Sequence, residues 1–536
     1  MSPLRWFLVV AVTTAPAVGC SPAAGDHRVA ITHVAVRPDG DTTLLADQTI
    51  LVRDGRFEAL GPADRVAVPR GIARIDGRGL TAVPGLTDAH LHLTDDAADW
   101  LPALVAAGVT QVFSMDGTTA TLALRDSAPN RAWPSILTAG PLARQPAVVT
   151  PADADSLVAE YRRRGYDFIK VYEPLTPEAF ARLTAAARAA HLPLAGHVAP
   201  DLGFDAAVAG LDLVAHAEEL PKGGLGSTDT LPPYARVRQL AERRVSLSPT
   251  LAMFEGVVAQ WGTHAPGDSA ATTPEAAILT PALRQAWTTD NRYAARTGSP
   301  PASSLRLATA LTRLAAAEGV ELLVGTDAPS PLMLPGLAVR QEMTALERAG
   351  VPRWQVLRAA TAAPGRFAAR MLPGPTRFGR IRPGYRADLV LLPNDPLADP
   401  AGLCQPAGVL LRGRWFDRAG LDSLQAGVVA AAGQARPADP PPAVEPIPAD
   451  LQAFVGRFRS VAPSLELEVR LDEGRLSVGE QGADPFPLVP AGPNRFLLRT
   501  GGVTMEVEFT MTRDAFEVRR GAELMWRAVR DSAPHP

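Results

Sequence analysis

The stretch Val83-Pro84-Gly85-Leu86-Thr87-Asp88-Ala89-His90-Leu91-His92 decides how the rest of the chain is read. It is apolar and extended in character. A strand's period of two turns His90 and His92 to one face, where a single ion can meet both imidazoles, and points Leu91 the other way. Lys170, His197, His216 and Asp327 follow, each inside or just after a short apolar run. In that order these residue types describe a hydrolase metal centre.

Runs of strand length at 82–93, 109–114, 135–139, 167–172, 192–197, 211–216, 245–249 and 321–327 alternate with Ala- and Arg-rich helical stretches, the pattern of β/α units and a parallel sheet. Eight such units predict an α/β fold, a (β/α)8 TIM-like barrel over 82–376, with catalytic groups gathered at the C-terminal ends of the strands. The candidate ligands all fall at or near such ends. On the flanks, 29–81 and 377–419 carry short apolar strands broken by Asp-Gly and Pro turns, which predict a composite β-sandwich domain built from both sides of the barrel. The segment 251–301, with Trp261, His264 and Trp287 in polar and Pro-Gly text, is too long for an ordinary connection. It reads as a lid or substrate wall, with disorder as the competing reading. The Ala/Pro-rich stretch 430–448 reads as a linker, and the alternating runs over 450–531 predict a small C-terminal all-β domain.

A length of 536 residues and 46% hydrophobic content leave room for two or three domains. The 53 basic side chains nearly balance the 56 acidic ones without any basic block, so the chain offers nothing to a phosphate backbone and no nucleic-acid partner is expected. Residues 1–20 look like an export signal: Arg5, a short apolar run, then Ala17-Val18-Gly19-Cys20. The apolar part is too short for a permanent span, and Ala17 to Cys20 is similar to a bacterial lipobox with alanine in the usual leucine position. The expected location is therefore the bacterial periplasm or outer membrane. Membrane contact would run only through a lipid anchor at Cys20, with a plain secretory signal as the alternative. Cys404 is the sole other cysteine, so a lipidated Cys20 leaves no pair for an internal disulfide. Nothing in the sequence fixes the oligomeric state, and a homo-oligomer is compatible with it.

Only Lys170 and Lys222 are lysines among the 53 basic residues, so a lysine between Phe168-Ile169 and Val171-Tyr172 is a chemical choice. An unpaired ammonium is costly to bury there. A neutral amine can add carbon dioxide to become a carbamate, an anionic oxygen ligand able to bridge two cations, which a guanidinium cannot do. In the expected arrangement His90, His92 and Asp327 hold one divalent ion, and His197 and His216 hold another. Carboxylated Lys170 and a hydroxide lie between them, and Asp327 shuttles the proton. Zinc is the default for imidazole-rich sites; manganese, iron, cobalt and nickel also fit. A single-ion site would leave Lys170 an ordinary amine. Tyr172 shares the strand parity of Lys170 and is a candidate substrate contact or a core filler. His264 can touch substrate or be an exposed loop histidine.

The chain resembles the amidohydrolase superfamily over most of 29–419, in an imidazolonepropionase-like or prolidase-like form. The residues that carry the resemblance are Asp54-Gly-Arg-Phe-Glu-Ala-Leu-Gly, Val83-Pro-Gly-Leu-Thr-Asp-Ala-His-Leu-His, Ala107-Gly-Val-Thr, Asp167-Phe-Ile-Lys-Val-Tyr, Ala195-Gly-His-Val, Val214-Ala-His-Ala, Gly325-Thr-Asp-Ala and Ala387-Asp-Leu-Val-Leu-Leu. The resemblance implies a metal-dependent hydrolase barrel with a carboxylated lysine at Lys170. Two departures stand out. Val171-Tyr-Glu-Pro-Leu-Thr follows Lys170 where prolidase-like members carry a Gly-Gly segment, which speaks against a dipeptidase. Arg340 stands where many relatives have histidine, and either meets a substrate carboxylate or pairs with Glu342. The C-terminal segment resembles the small β domain behind some serine hydrolases of the β-lactamase type.

The expected function is an exported hydrolase attacking a carbon–nitrogen bond, in an amide or cyclic amide, of a small-molecule substrate. The rivals on the same site are a lactonase or esterase and an Xaa-Pro or Xaa-Arg dipeptidase. The rival from another class is a non-catalytic surface binding module.

Overall fold

The computed structural model describes residues 28–531 apart from 146, 200–201, 223–231, 373–376, 435–449, 461–465, 473, 481–484, 501–502 and 521–522. Cys20, the export segment and most of the expected linker lie outside the described residues; 430–434 close a helix, Arg418–Gln434. Strands β1 (Arg28–Val36), β2 (Leu45–Arg53), β3 (Arg56–Pro62), β4 (Ala73–Asp76) and β5 (Thr81–Pro84) precede the core. The core strands are β6 (Leu86–Leu91), β7 (Val109–Ser114), β8 (Ser135–Thr138), β9 (Ile169–Val171), β10 (Leu194–Gly196), β11 (Leu213–Ala215) and β12 (Ser246–Ser248). After the core come β13 (Leu389–Leu392), β14 (Gly408–Leu411) and β15 (Arg414–Asp417).

Strands from both flanks join in the order β15-β14-β13-β5-β1-β2-β3, with β4 beside β1. The composite character expected of this unit is present, but it is one hydrogen-bonded sheet branching at β1 instead of two separate sheets. Ile31, Val34, Ile50, Phe57, Leu389 and Leu410 fill a core of its own. The run expected as one strand over 82–93 divides at Gly85, where the chain passes from this sheet into the core. Gly85 donates its N–H to Asp388 O at 3.1 Å. A Cβ there would lie 2.2 Å from Thr110 Oγ1, so only glycine fits the crossing.

The core pairs entirely in parallel, as β6-β7-β8 and as β9-β10-β11-β12. Isolated parallel bridges, Ala139 with Phe168, Leu247 with Leu322 and Leu91 with Ala328, carry the pairing between these pieces. The expected eighth strand over 321–327 makes no ladder of its own, and the result is a distorted α/β core in place of a regular barrel. The cause is local. Thr326 and Asp327 both donate their N–H to His90 O, at 2.9 and 2.7 Å, and Asp327 turns left-handed at φ 57°. Gly325 lies so near His90 that a Cβ would stand 2.5 Å from the histidine's own. This segment is drawn in toward the first strand at the expense of sheet regularity.

Helices cover the core. Pro151–Arg164 shows why: Thr150 and Asp153 form a capping box, Gly165 ends the helix at φ 80°, and Ala154, Leu157, Val158 and Tyr161 make the buried stripe. The segment 251–301 is folded, with helices Leu251–Gln260, Ala265–Ala271 and Pro281–Trp287 and a 3-10 turn Pro274–Ile278. Leu283 and Trp287 are buried, and Trp287 Nε1 donates to Pro329 O at 3.2 Å.

At the C-terminus, β16 (Gly456–Ser460), β17 (Glu466–Asp472), β18 (Arg475–Glu480), β19 (Phe486–Pro490), β20 (Arg495–Thr500), β21 (Val503–Phe509), β22 (Ala515–Arg520) and β23 (Glu523–Arg530) close into an antiparallel barrel. Phe454, Phe496 and Phe509 pack edge to face inside it, with ring centroids 5.0 to 5.8 Å apart. The expected all-β C-terminal unit is thus a closed barrel. Among the described residues no helix is long and apolar enough to cross a membrane.

Candidate metal centre

His90 is the second-last residue of the buried strand β6 and His92 follows its end, with Leu91 turned into the apolar core between them. Both Nε2 atoms reach one oxygen of Asp327, at 3.2 Å from His90 and 2.9 Å from His92. The potential ligand atoms of these three residues lie within 4.8 Å of one another, so the set is able to hold a divalent ion. His216, just past β11, places its ring 4.7 Å from that of His90, and His197, just past β10, lies 4.8 Å from His216. Lys170 sits in the middle of β9, opposite Ala195 of β10, and is 1% exposed.

Two buried polar atoms show what the site lacks from the protein itself. Lys170 Nζ and His90 Nδ1 have no hydrogen-bond partner, and a buried orphan of this kind is unfavourable by about 1–3 kcal/mol. An amine without an acceptor, among imidazoles and a carboxylate, fits a centre completed by cations and by carboxylation of the lysine.

The electrostatics agree. Burial, then the charge of Lys170, pushes His90 down to about 3, and the same two causes push His197 down to about 4. Burial and the neighbouring His90 and His197 hold His216 well below its ordinary value. Neutral imidazoles keep a lone pair for an ion. Burial also pushes Lys170 down to about 8, against the opposing pull of Asp327, Glu173, Glu219 and Asp116. For Asp327 burial acts upward, but hydrogen bonds from His90 and His92 overcome it and keep the carboxyl well below its usual range.

Supporting residues fix these groups. His216 Nδ1 lies 2.7 Å from Thr250 Oγ1, which leaves Nε2 as the atom for an ion. His197 Nδ1 is 3.4 Å from Glu219 and 3.5 Å from Glu173. Asp88, 1% exposed, accepts from His90 N at 3.2 Å and from Thr326 N and Oγ1 at 3.1 and 2.6 Å, locking the first strand to the Asp327 turn. His216, Thr250 and Asp327 all have positive φ, at 73°, 49° and 57°, strain that the surrounding hydrogen bonds sustain.

Tyr172 reaches the centre, with its ring 4.3 Å from His197. His264 is exposed, and its Nδ1 pairs with Thr288 O at 2.7 Å within the same segment; no described contact joins it to the centre. Arg340 is placed elsewhere. The helix Leu337–Arg348 buries Ala338, Val339, Glu342, Met343 and Leu346, which leaves Arg340 on its outer flank. There it lines a cavity of about 420 Å³ with Ala107, Glu275, Leu334 and Arg418, and none of the centre's residues lines that cavity. Glu342 accepts from Ala252 N at 2.8 Å, so the alternative expected pairing with Arg340 is also absent among the described contacts.

The amidohydrolase family model matches residues 81–416. The chain belongs to the amidohydrolase family. With the His90, His92 and Asp327 cluster, this fold makes it a metal-dependent hydrolase. Among solved structures this amidohydrolase is similar to bottromycin amidohydrolase, at 25% identity and TM-score 0.60, covering 76% of this chain and 91% of that one. It is also similar to molinate hydrolase, at 19% identity and TM-score 0.55, covering 74% and 95%. A third is the ochratoxinase of A. niger, at 18% identity and TM-score 0.54, covering 73% and 96%. No curated protein matches the chain.

The C-terminal barrel lies outside the matched region of this amidohydrolase, yet it touches the centre's surroundings. Arg520, 8% exposed in β22, donates to Asp116 Oδ2 at 2.9 Å and to Leu93 O at 3.4 Å, one residue past His92. Thr504 N donates to Asp95 at 3.2 Å. Neither contact had a signal in the sequence, because each joins residues more than four hundred positions apart.

Proposed function

We propose that this chain is an exported hydrolase that cleaves a carbon–nitrogen bond of a small amide or cyclic amide at a two-ion centre. The observation that carries the reading is the buried, partnerless amine of Lys170 beside four contiguous imidazoles and an ionised Asp327. His90, His92 and Asp327 would hold one ion, His197 and His216 a second, and Lys170 both. The ammonium would first lose a proton, a loss that burial favours, and the free amine would then form an N–C bond to carbon dioxide and release a second proton to leave a carbamate. Zinc suits the imidazoles, with manganese, iron, cobalt and nickel as alternatives. When bound, such ions supply Lewis acidity to the scissile carbonyl and acidify water into the neutral range.

The chain's own groups do the proton work. Asp327 takes the proton of the attacking water on a carboxylate oxygen and returns it to the leaving nitrogen. Asp88 and Thr326 hold the turn that aims it, and Thr250 holds the His216 ring. The similar structure at 25% identity is named an amidohydrolase, which supports carbon–nitrogen over ester chemistry. For export, we propose lipidation at Cys20; a Cys20→Ser chain recovered in the soluble periplasmic fraction, with wild type in the membrane, is the expected result.

The test pairs a substrate panel with Lys170→Ala. Metal-loaded enzyme is expected to hydrolyse members of an amide and cyclic-amide panel faster than matched lactones, esters and Xaa-Pro or Xaa-Arg dipeptides. Lys170→Ala is expected to lose metal and activity, both partly restored by short carboxylates. Faster lactone or dipeptide cleavage would reassign the substrate, and an active, fully loaded Lys170→Ala would remove the carbamate. No turnover on any panel despite full loading would favour a binding module.

A further inference from the structure

We infer that Arg520, supplied by the C-terminal barrel, is a positioning residue of the metal centre: it fixes the backbone that follows His92, so the barrel helps to retain the ion that His90, His92 and Asp327 would hold. This rests on the metal-centre reading above and adds to it a part of the chain outside the amidohydrolase match.

His92 is the least restrained of the four histidines. Its side chain is 34% exposed, whereas His90 is held by complete burial. Its Nε2, the atom for an ion, faces Asp327 at 2.9 Å, and among the described residues its Nδ1 has no hydrogen-bond partner. His216 has Thr250 for that purpose and His197 has Glu219. A ligand ring is normally oriented through its second nitrogen. For His92 the backbone must serve instead. On one side His92 N donates to Ala328 O at 2.8 Å, next to Asp327. On the other, the Leu93 carbonyl accepts from Arg520 Nη2 at 3.4 Å.

Arg520 is itself anchored. Its Nη1 donates to Asp116 Oδ2 at 2.9 Å, and the two side chains are only 8% and 19% exposed, so the charge-assisted bond is largely shielded from water. Asp116 lies two residues past the end of β7, and Met115 N donates to Leu91 O at 2.9 Å. Arg520 therefore spans the C-terminal ends of the first two core strands, the face on which the centre opens. The barrel's register brings a second contact to the same loop. Thr500 pairs with Val503, Arg520 with Glu523 and Glu506 with Arg519, so Thr504 and Arg520 share one rim, and Thr504 N donates to Asp95 Oδ2 at 3.2 Å. A barrel packed there for stability alone would meet the core through apolar side chains. A buried guanidinium carries a desolvation cost that such a contact avoids.

The test uses full-length, zinc-loaded protein and follows zinc transfer to a chelator, together with the d–d absorption of cobalt(II)-loaded protein, which reports ligand geometry. Arg520→Ala is expected to lose zinc about tenfold or more faster than wild type and to shift the cobalt bands. Arg520→Lys keeps a charge beside Asp116 but lacks the fork that also reaches Leu93 O, and should fall between the two. Phe496→Leu, in the barrel core, controls for lost stability: it should lower the melting temperature and leave zinc loss and cobalt bands at wild-type values. Unchanged zinc loss and cobalt bands in Arg520→Ala, or an equal change in Phe496→Leu, overturns the inference. Should Arg520→Ala fail to fold, Arg520→Lys decides by the same two readings, and wild-type values overturn it. Wild-type protein that takes up neither zinc nor cobalt removes the metal-centre reading and the inference with it, an outcome distinct from a loaded protein indifferent to Arg520.

Discussion

Asp327 is asked to do two things, to complete the ligand set with His90 and His92 and to carry a proton, and its strained φ of 57° places one oxygen for both. Asp327→Asn keeps the shape and loses the basicity. Turnover is expected to fall by about a hundredfold or more with KM changed far less, as steady-state kinetics on reloaded enzyme would show; a normal kcat would move the proton shuttle to another group. The six ligand candidates were legible in the sequence because each depends on local facts: the spacing of His90 and His92, a lysine in an apolar run, polar residues at strand ends. Asp88, Thr250 and Glu219 were not legible. A buried carboxylate bonded to a backbone N–H across 238 positions, as Asp88 is to Thr326, leaves no periodic trace. Arg340 shows the converse: a plausible residue type that tertiary placement puts on the lining of a separate cavity.

At the scale of elements, the strand positions expected from apolar runs coincide with β6 to β12, because strands buried on both faces need continuous apolar text. What the runs could not show was that Gly85 divides the first strand between two sheets, or that the last segment gives up its ladder to approach His90. The helix Leu337–Arg348 carries a further consequence. Glu342 is fully buried against the start of Leu251–Gln260, and burial, outweighing its backbone hydrogen bonds, pushes its carboxyl up from an ordinary 4.5 to about 8. The folded state therefore holds a proton that the unfolded chain releases. The stability it contributes is full below pH about 4.5 and is lost as pH rises toward 8, on the order of 4–5 kcal/mol. Glu342→Gln, which can still accept from Ala252 N, is expected to flatten this decline. Denaturant melts at pH 5 and pH 8 would show a gain at pH 8 over wild type, and parallel curves would refute it.

On the scale of the molecule, the metal-centre core is braced from two sides, by the folded segment 251–301 through Trp287 and Thr280 and by the C-terminal barrel through Arg520. Asp96 accepts from Thr94 and Thr280 and Asp95 from Thr504, so the loop after His92 is held by both units. Arg520→Ala leaves Asp116, 19% exposed, without its cation. It is expected to destabilise the chain by about 1–2 kcal/mol and to raise hydrogen exchange over 93–96 and 114–117, while distant core strands keep their protection. Unchanged exchange there would mean the barrel is a passive neighbour. The measurement that bears most directly on the whole reading is metal content per chain, by elemental mass spectrometry, on protein made with bicarbonate and mixed divalent metals. About two ions, falling with Lys170→Ala, is the expected result. About one ion that survives Lys170→Ala would confine the site to His90, His92 and Asp327, and none would contradict a metal-dependent hydrolase altogether.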